Sequence, residues 1–117
     1  MNERRIFRRG DVVLLSLPQA AEPRPAVVVQ NDVGNRFSPN LIVAAISSRI
    51  PKREYPIYFV VRQGSPEAQA AGLDRDSVVL ASAILTVPKA SVVKILGRFP
   101  EEAMEAIDEC LRVSLGL

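Results

Sequence analysis

A chain of 117 residues has room for one hydrophobic core, so residues 1–117 read as a single domain. The sequence has no histidine, which removes the usual general base, the usual zinc ligand and every Ser-His or Cys-His catalytic pairing. A single cysteine, Cys110, excludes an internal disulfide, and in its apolar helical setting it reads as core packing.

The net charge of +2 conceals an asymmetry. Residues 1–98 hold 14 of the 15 basic and 8 of the 13 acidic side chains, whereas residues 99–117 set Arg112 against five acids. Twelve of the bases are arginine, whose planar fork suits phosphate or carboxylate. The basic body fits an anionic partner, and a merely solvated surface is the equal alternative. No apolar run approaches the ~18 residues that cross a bilayer. The charged start, Met1–Arg9, is followed by no signal-peptide apolar region. A cytoplasmic protein without membrane contact is expected.

In chain order, residues 1–8 form a basic N-terminal arm, and Val12–Leu17 follows as a short β-branched strand. Pro18–Pro23 reads as a loop, and Ala26–Gln30 as a buried strand. Asn31–Asn40 is turn chemistry throughout, punctuated by Gly34 and Pro39. Leu41–Ile46 and Pro56–Val61 are further strands, with Tyr55 and Tyr58 read as packing residues. Pro66–Ala71 suffices for one helical turn. Ser77–Leu80 and Ala83–Val87 are two strand segments, and Pro88 starts a short helix through Val93. The last element is a helix from Glu101 to about Leu115. It carries Ala103, Met104, Ile107, Leu111 and Leu115 on one face, with Glu101 and Glu102 where the helix dipole favours acids. Short strands followed by an amphipathic helix predict a small, curved antiparallel sheet or barrel closed by helices.

Arg24 is held between Pro23 and Pro25 at the entry to an apolar strand, a stiff position from which to clamp a phosphate. The alternative is a strand-edge Arg paired with Glu22 or Asp32. Ser47 and Ser48 end the Leu41–Ile46 strand, either as turn residues or as a hydroxyl converging with Arg24 on one phosphate. Asp74 and Asp76 share a loop while Asp11 and Asp32 stand apart, so no carboxylates have metal-ligand spacing. Gly64, Gly72 and Gly97 fit no phosphate loop.

Several runs together resemble MazF/PemK-type toxins: Arg9-Gly10-Asp11-Val12, then Arg24-Pro25-Ala26-Val27-Val28-Val29-Gln30-Asn31-Asp32. Gly34–Asn40 with Ile42–Ser47, Asp76–Leu80 and the closing Ser114–Leu117 continue the likeness from about Arg8 to Leu117. The short pieces are unspecific, and the continuous run from Arg24 to Asn40 is highly specific. The resemblance implies the SH3-like barrel of the CcdB/MazF plasmid-maintenance toxins with a C-terminal helix, working as a homodimer. It implies a type II toxin that cleaves single-stranded RNA (mRNA) sequence-specifically, inhibits translation and is restrained by a cognate antitoxin. Neither a metal nor another cofactor is implied.

The family's catalytic pair falls on Arg24 and Ser47, with Ser where relatives usually have Thr. From these positions, metal-independent attack by the RNA's own 2′-hydroxyl would leave 2′,3′-cyclic phosphate and 5′-hydroxyl ends. Asn31, Asn35 and Arg36, expected beside Arg24, are candidates for reading bases, and Ser48 and Arg49 complete the RNA-binding set. Turn capping is the alternative for Asn35, and antitoxin contact for Arg36. An acidic antitoxin tail is expected to share the basic RNA groove. The sequence departs from the family in a short loop before Arg24, and in Ser82, Ala83 and Leu85 where a Glu-Gln pair and an Arg are usual. Two alternatives remain: a non-enzymatic gyrase poison like CcdB, and a catalytically silent binding protein of the same fold.

Overall fold

A computed structural model describes residues 5–117. Six strands and three helices run in the order β1 (Asp11–Leu15), β2 (Arg24–Val28), α1 (Asp32–Phe37), β3 (Asn40–Ser47), β4 (Tyr58–Val61), α2 (Pro66–Ala71), β5 (Ser77–Pro88), β6 (Val92–Arg98) and α3 (Glu101–Leu115). The strands make one antiparallel sheet in the order β4-β5-β3-β2-β1-β6. Alternation along β1, β2 and β3 sends successive side chains to opposite faces. Val12, Val27, Ala44 and Ile46 join Met104 and Ile107 of α3 and Ala68 and Ala71 of α2 in one core. Val13, Leu15, Ala26, Val28 and Val43 join Phe7, Val87 and Val92 in a second core on the other face. A sheet buried on both faces and capped by helices is the barrel-like, mainly β architecture that the strand pattern predicts.

Four expectations need correction. Asn31–Asn40 is not turn throughout, because Asp32–Phe37 is helical. The Asn31 side chain accepts from the Gly34 amide at 2.8 Å, Asp32 lies in the first turn and Arg36 in the last. The Asn and Pro residues read as breakers therefore bracket a short helix, with Asn31 as its cap. Ser77–Leu80 and Ala83–Val87 belong to one continuous strand. The interruption is in its pairing: Ala44 of β3 faces Ile84, yet the next residue, Ala45, faces Leu80, so β5 bulges over Ala81–Ala83.

The helix expected from Pro88 through Val93 is one 3-10 turn, Lys89–Ser91, after which Val92–Arg98 becomes β6. Val92 and Ile95 pair there with Leu15 and Val13 of β1, a setting that favours β-branched side chains. On α3, Ala103, Met104, Ile107 and Cys110 are buried, but Leu115 is 57% exposed beside Val113 and Leu117. The last turn thus leaves the core while keeping the apolar periodicity that predicted it.

Two glycines fix how α2 meets β6. Gly72 caps α2 at φ +72°, and a Cβ there would collide with the Leu96 carbonyl. A Cβ on Gly97 would collide with the backbone of Ala70 and Ala71. The helix end and the strand touch backbone to backbone, which only glycine permits.

Among the described residues no helix is long and apolar enough to cross a membrane. Arg4 of the basic arm lies outside the described residues.

Candidate active site

Arg24 opens β2 and Ser47 closes β3. The β2–β3 register pairs Val28 with Val43, Val27 with Ala44 and Ala26 with Ala45. The pairing ends at Ala26–Ala45, and the same register carried two residues further would set Arg24 across from Ser47. Residues directly opposite on neighbouring strands share a face and hold their Cβ atoms ~5 Å apart. On its other side Arg24 pairs with the buried Leu15 of β1. Extended that far, the register would bring a guanidinium and a hydroxyl together at one end of the sheet, beside the buried Leu15.

Arg24 is exposed, and neither Glu22 nor Asp32 neutralises it. Asp32 is engaged elsewhere, accepting from the Arg9 amide at 2.7 Å and the Asn35 amide group at 3.1 Å. Those bonds, the Arg9 amide first, hold its carboxyl below the usual carboxylate range. Ser47 is half-buried and its Oγ accepts from the Arg49 amide at 3.1 Å. The turn role foreseen for a strand-end serine is thus present. It fixes the hydroxyl while leaving the O–H proton available as a donor. Ser48 and Arg49 follow as exposed residues at the same end.

The α1 residues are at the other end. Because β2 runs from Arg24 to Val28 before α1 begins, about 13 Å of strand separates Arg24 from that helix. Asn31, Asn35 and Arg36 do not lie beside Arg24 within one protomer, which corrects the expectation that their segment sits next to it.

Their environments also differ. Asn31 is exposed but spends its side-chain oxygen capping α1. Asn35 is 2% exposed, donates to the Gln30 carbonyl at 2.9 Å and accepts from Gln30 Nε2 at 3.0 Å. Its amide is used inside the fold, within α1, and caps no turn. Arg36 is exposed, with its guanidinium 5.4 Å from the centroid of the Phe37 ring. It lines a groove of about 1110 Å³ with Arg5, Arg8, Phe37 and Lys89.

Arg9, which follows the basic arm, has a structural occupation. Its amide binds Asp32, its Nε donates to the Val29 carbonyl at 2.8 Å, and Nη1 lies 2.8 Å from Asp108 of α3. Arg5 donates to the Val92 carbonyl at 2.7 Å, whereas Arg8 keeps its side chain at the groove wall.

Sequence reasoning missed the segment after Arg49. Residues 50–56 and 58–60 with Arg62 line a second groove, of about 570 Å³, beside β4. Its tyrosines do pack, but on each other, edge to face with ring centroids 5.7 Å apart. The mixture of Lys52, Arg53 and two tyrosines was the available signal. Near the bulge Ser82 and Leu85 are exposed and Ala83 is half-buried. Among the described residues no three His, Cys, Asp or Glu side chains cluster in a metal-binding arrangement.

Comparison with known proteins gives concordant matches. The family model for the PemK-like, MazF-like toxin of type II toxin-antitoxin systems matches residues 8–115. Endoribonuclease EndoA of Bacillus subtilis (strain 168) is 38% identical over 117 residues, spanning 96% of this chain and 97% of its own. An endoribonuclease solved with its cognate antitoxin, from a mycobacterial species, superposes with a TM-score of 0.77 at 24% identity. That match covers 95% of this chain and 96% of the relative. A MazE-MazF complex (Form-III) from Deinococcus radiodurans gives a TM-score of 0.73 at 25% identity over 97% and 99% of the two chains.

Proposed function

The chain belongs to the PemK-like, MazF-like family of type II toxins, and from that premise we propose a metal-independent, sequence-specific cut in single-stranded RNA centred on Arg24 and Ser47. Endoribonuclease activity accords with the close relationship to EndoA. The observation that supports the site is the β2–β3 register, which, extended two residues past its last pair Ala26–Ala45, would bring Arg24 opposite Ser47.

In the proposed reaction the 2′-oxygen of the substrate bonds to the adjacent phosphorus as the bond from phosphorus to the 5′-oxygen breaks. The 2′-hydroxyl loses its proton and the departing 5′-oxygen gains one, leaving a 2′,3′-cyclic phosphate and a 5′-hydroxyl. The nucleophile belongs to the RNA, so the protein has only to hold the phosphate and compensate charge. Arg24 stabilises the negative charge that grows on the phosphoryl oxygens. Ser47 donates a hydrogen bond to the same phosphate and holds it for in-line attack. Because a guanidinium holds its proton at neutral pH, an arginine serves better as proton donor to the leaving oxygen than as base.

Ser48 and Arg49 extend the proposed RNA contact from the Ser47 end of β3. Asn31 and Arg36 bear on bases or on an antitoxin from the α1 end, and buried Asn35 supports that end from within. A homodimer provides a way for the two ends to meet on one RNA strand, the α1 end of one protomer approaching the Arg24 end of its partner. The acidic tail of a cognate antitoxin would compete for the basic surface. Relatives solved together with antitoxins support that partnership.

The test is incubation with long single-stranded RNA in EDTA, with the fragment ends mapped and Arg24→Ala run alongside. Discrete cuts with 5′-hydroxyl ends are expected from the wild type and are strongly reduced in the variant. Near-normal turnover by Arg24→Ala would remove Arg24 from the site.

A further inference from the structure

The groove beside β4 is continuous with the row that holds Ser47. Ser47 pairs with Val78 of β5, and Val78 pairs with Val60 of β4, which lines the groove. Two strand spacings separate Ser47 from Val60, about 10 Å. Faces agree as well as distance. Phe59 and Val61 turn toward the helix-covered core, where Phe59 meets Phe99 edge to face at 6.2 Å. By alternation Tyr58 and Val60 take the opposite face, shared with Ser47.

Tyr58 and Tyr55 then form the edge-to-face pair at an interplanar angle of 86°. Such a contact covers at most one face of the Tyr55 ring, and Tyr55 is 48% exposed. Lys52, Arg53 and Arg62 line the same groove against the single acid Glu54. Arg62 is only loosely engaged, 3.4 Å from Asp76 with both side chains largely in solvent. An exposed ring braced from behind by a second ring, inside a net positive groove, has the elements that hold single-stranded nucleic acid: a stacking platform with cations along the backbone.

The geometry points to a nucleobase subsite in this groove. A base next to the cleaved phosphate stacks on Tyr55, while Lys52, Arg53 and Arg62 follow the phosphates leading away from Ser47. This assignment rests on the RNA-cutting reading of Arg24 and Ser47. It adds a determinant of substrate affinity that tolerates different bases, because every base offers a π-face.

The chain has two tyrosines and no tryptophan, so its intrinsic fluorescence reports this groove directly. In Tyr58→Phe all of that emission comes from Tyr55. We would titrate it with short single-stranded RNA of mixed sequence whose 2′-positions are O-methylated, which removes the nucleophile and prevents cutting. Saturable quenching is expected. Measured by the anisotropy of a dye-labelled copy of the same RNA, Tyr55→Ala should weaken binding about 5- to 150-fold, the range for loss of one base–aromatic stack, and Tyr55→Phe should restore it. On cleavable RNA, Tyr55→Ala should raise KM by a similar factor and leave kcat unchanged.

Unfolding curves for each variant separate a lost platform from a lost fold. RNA cutting without quenching, or wild-type KM in a folded Tyr55→Ala, would refute the subsite and leave the proposed reaction standing. Quenching with the expected Tyr55 dependence but no cutting of unmodified RNA would retain the subsite and refute the catalytic reading. Neither binding nor cutting would refute both.

Discussion

Asn35 offers a sharp test of which α1 residues build the fold and which face a ligand. Replacing it with alanine removes two side-chain hydrogen bonds to Gln30 and one to Asp32. Asp32 is exposed, so water can replace its lost bond, and Gln30 Nε2 retains the Asn40 carbonyl at 3.0 Å. The Gln30 carbonyl loses the Asn35 donor in a buried setting, a cost of about 1–3 kcal/mol. Adding about 1 kcal/mol for the other bonds gives a total near 2–4 kcal/mol. That is a large share of the ~5–15 kcal/mol that holds a typical domain. At about 4 °C per kcal/mol for a domain of this size, Tm should fall by roughly 8–16 °C. Urea unfolding of wild type and Asn35→Ala measures the difference, with a change in midpoint and an unchanged slope. At temperatures where the variant is folded, its RNA fragments should keep the wild-type ends. A stability change below about 0.5 kcal/mol together with an altered cut motif would refute the structural role and return Asn35 to the bases.

Gly97→Ala should cost about 1–3 kcal/mol, because its Cβ enters space held by the rigid backbone of α2; a wild-type melting curve would contradict that packing. Asp32 has a folded pKa below its ordinary value, so its bonds stabilise the fold above that value and are lost as pH falls through the folded pKa. Wild type should therefore exceed Asp32→Asn in stability at neutral pH, with the gap closing below about pH 4 in unfolding measurements. A gap that persists through the acid range would contradict the linkage. Burial, and then the nearby Glu109, push the Cys110 thiol up. A thiol-labelling reagent at neutral pH should react slowly with the native protein and quickly after unfolding; equal rates would place Cys110 at the surface.

The strand cores were legible because Val27–Val29 and Leu41–Ile46 are continuous apolar runs too short for helices. The α3 stripe was legible for the complementary reason, a periodicity sustained over four turns. The sequence obscured α1, since asparagine serves equally as turn former and helix cap, and the Asn31 bond to Gly34 decides between them. It also obscured β6, whose identity depends on the partner that β1 provides across the chain.

Arg24 and Ser47 could be singled out by residue type and position, but their alignment depends on a register that no local pattern specifies. The same limitation placed Asn31 and Arg36 too near Arg24: adjacency in sequence was read as adjacency in space across a strand that separates them. Tyr55 was read as packing because an aromatic beside a strand usually is. Only its partial exposure against Tyr58 distinguishes a braced platform from a core ring.

The most direct test of the central claim is the mapping of RNA ends after incubation with wild type and Arg24→Ala in EDTA. The account predicts discrete cuts with 5′-hydroxyl ends from wild type and a rate at least ~100-fold lower from Arg24→Ala. Intact RNA with the wild-type protein, or equal cutting by the folded variant, would contradict it.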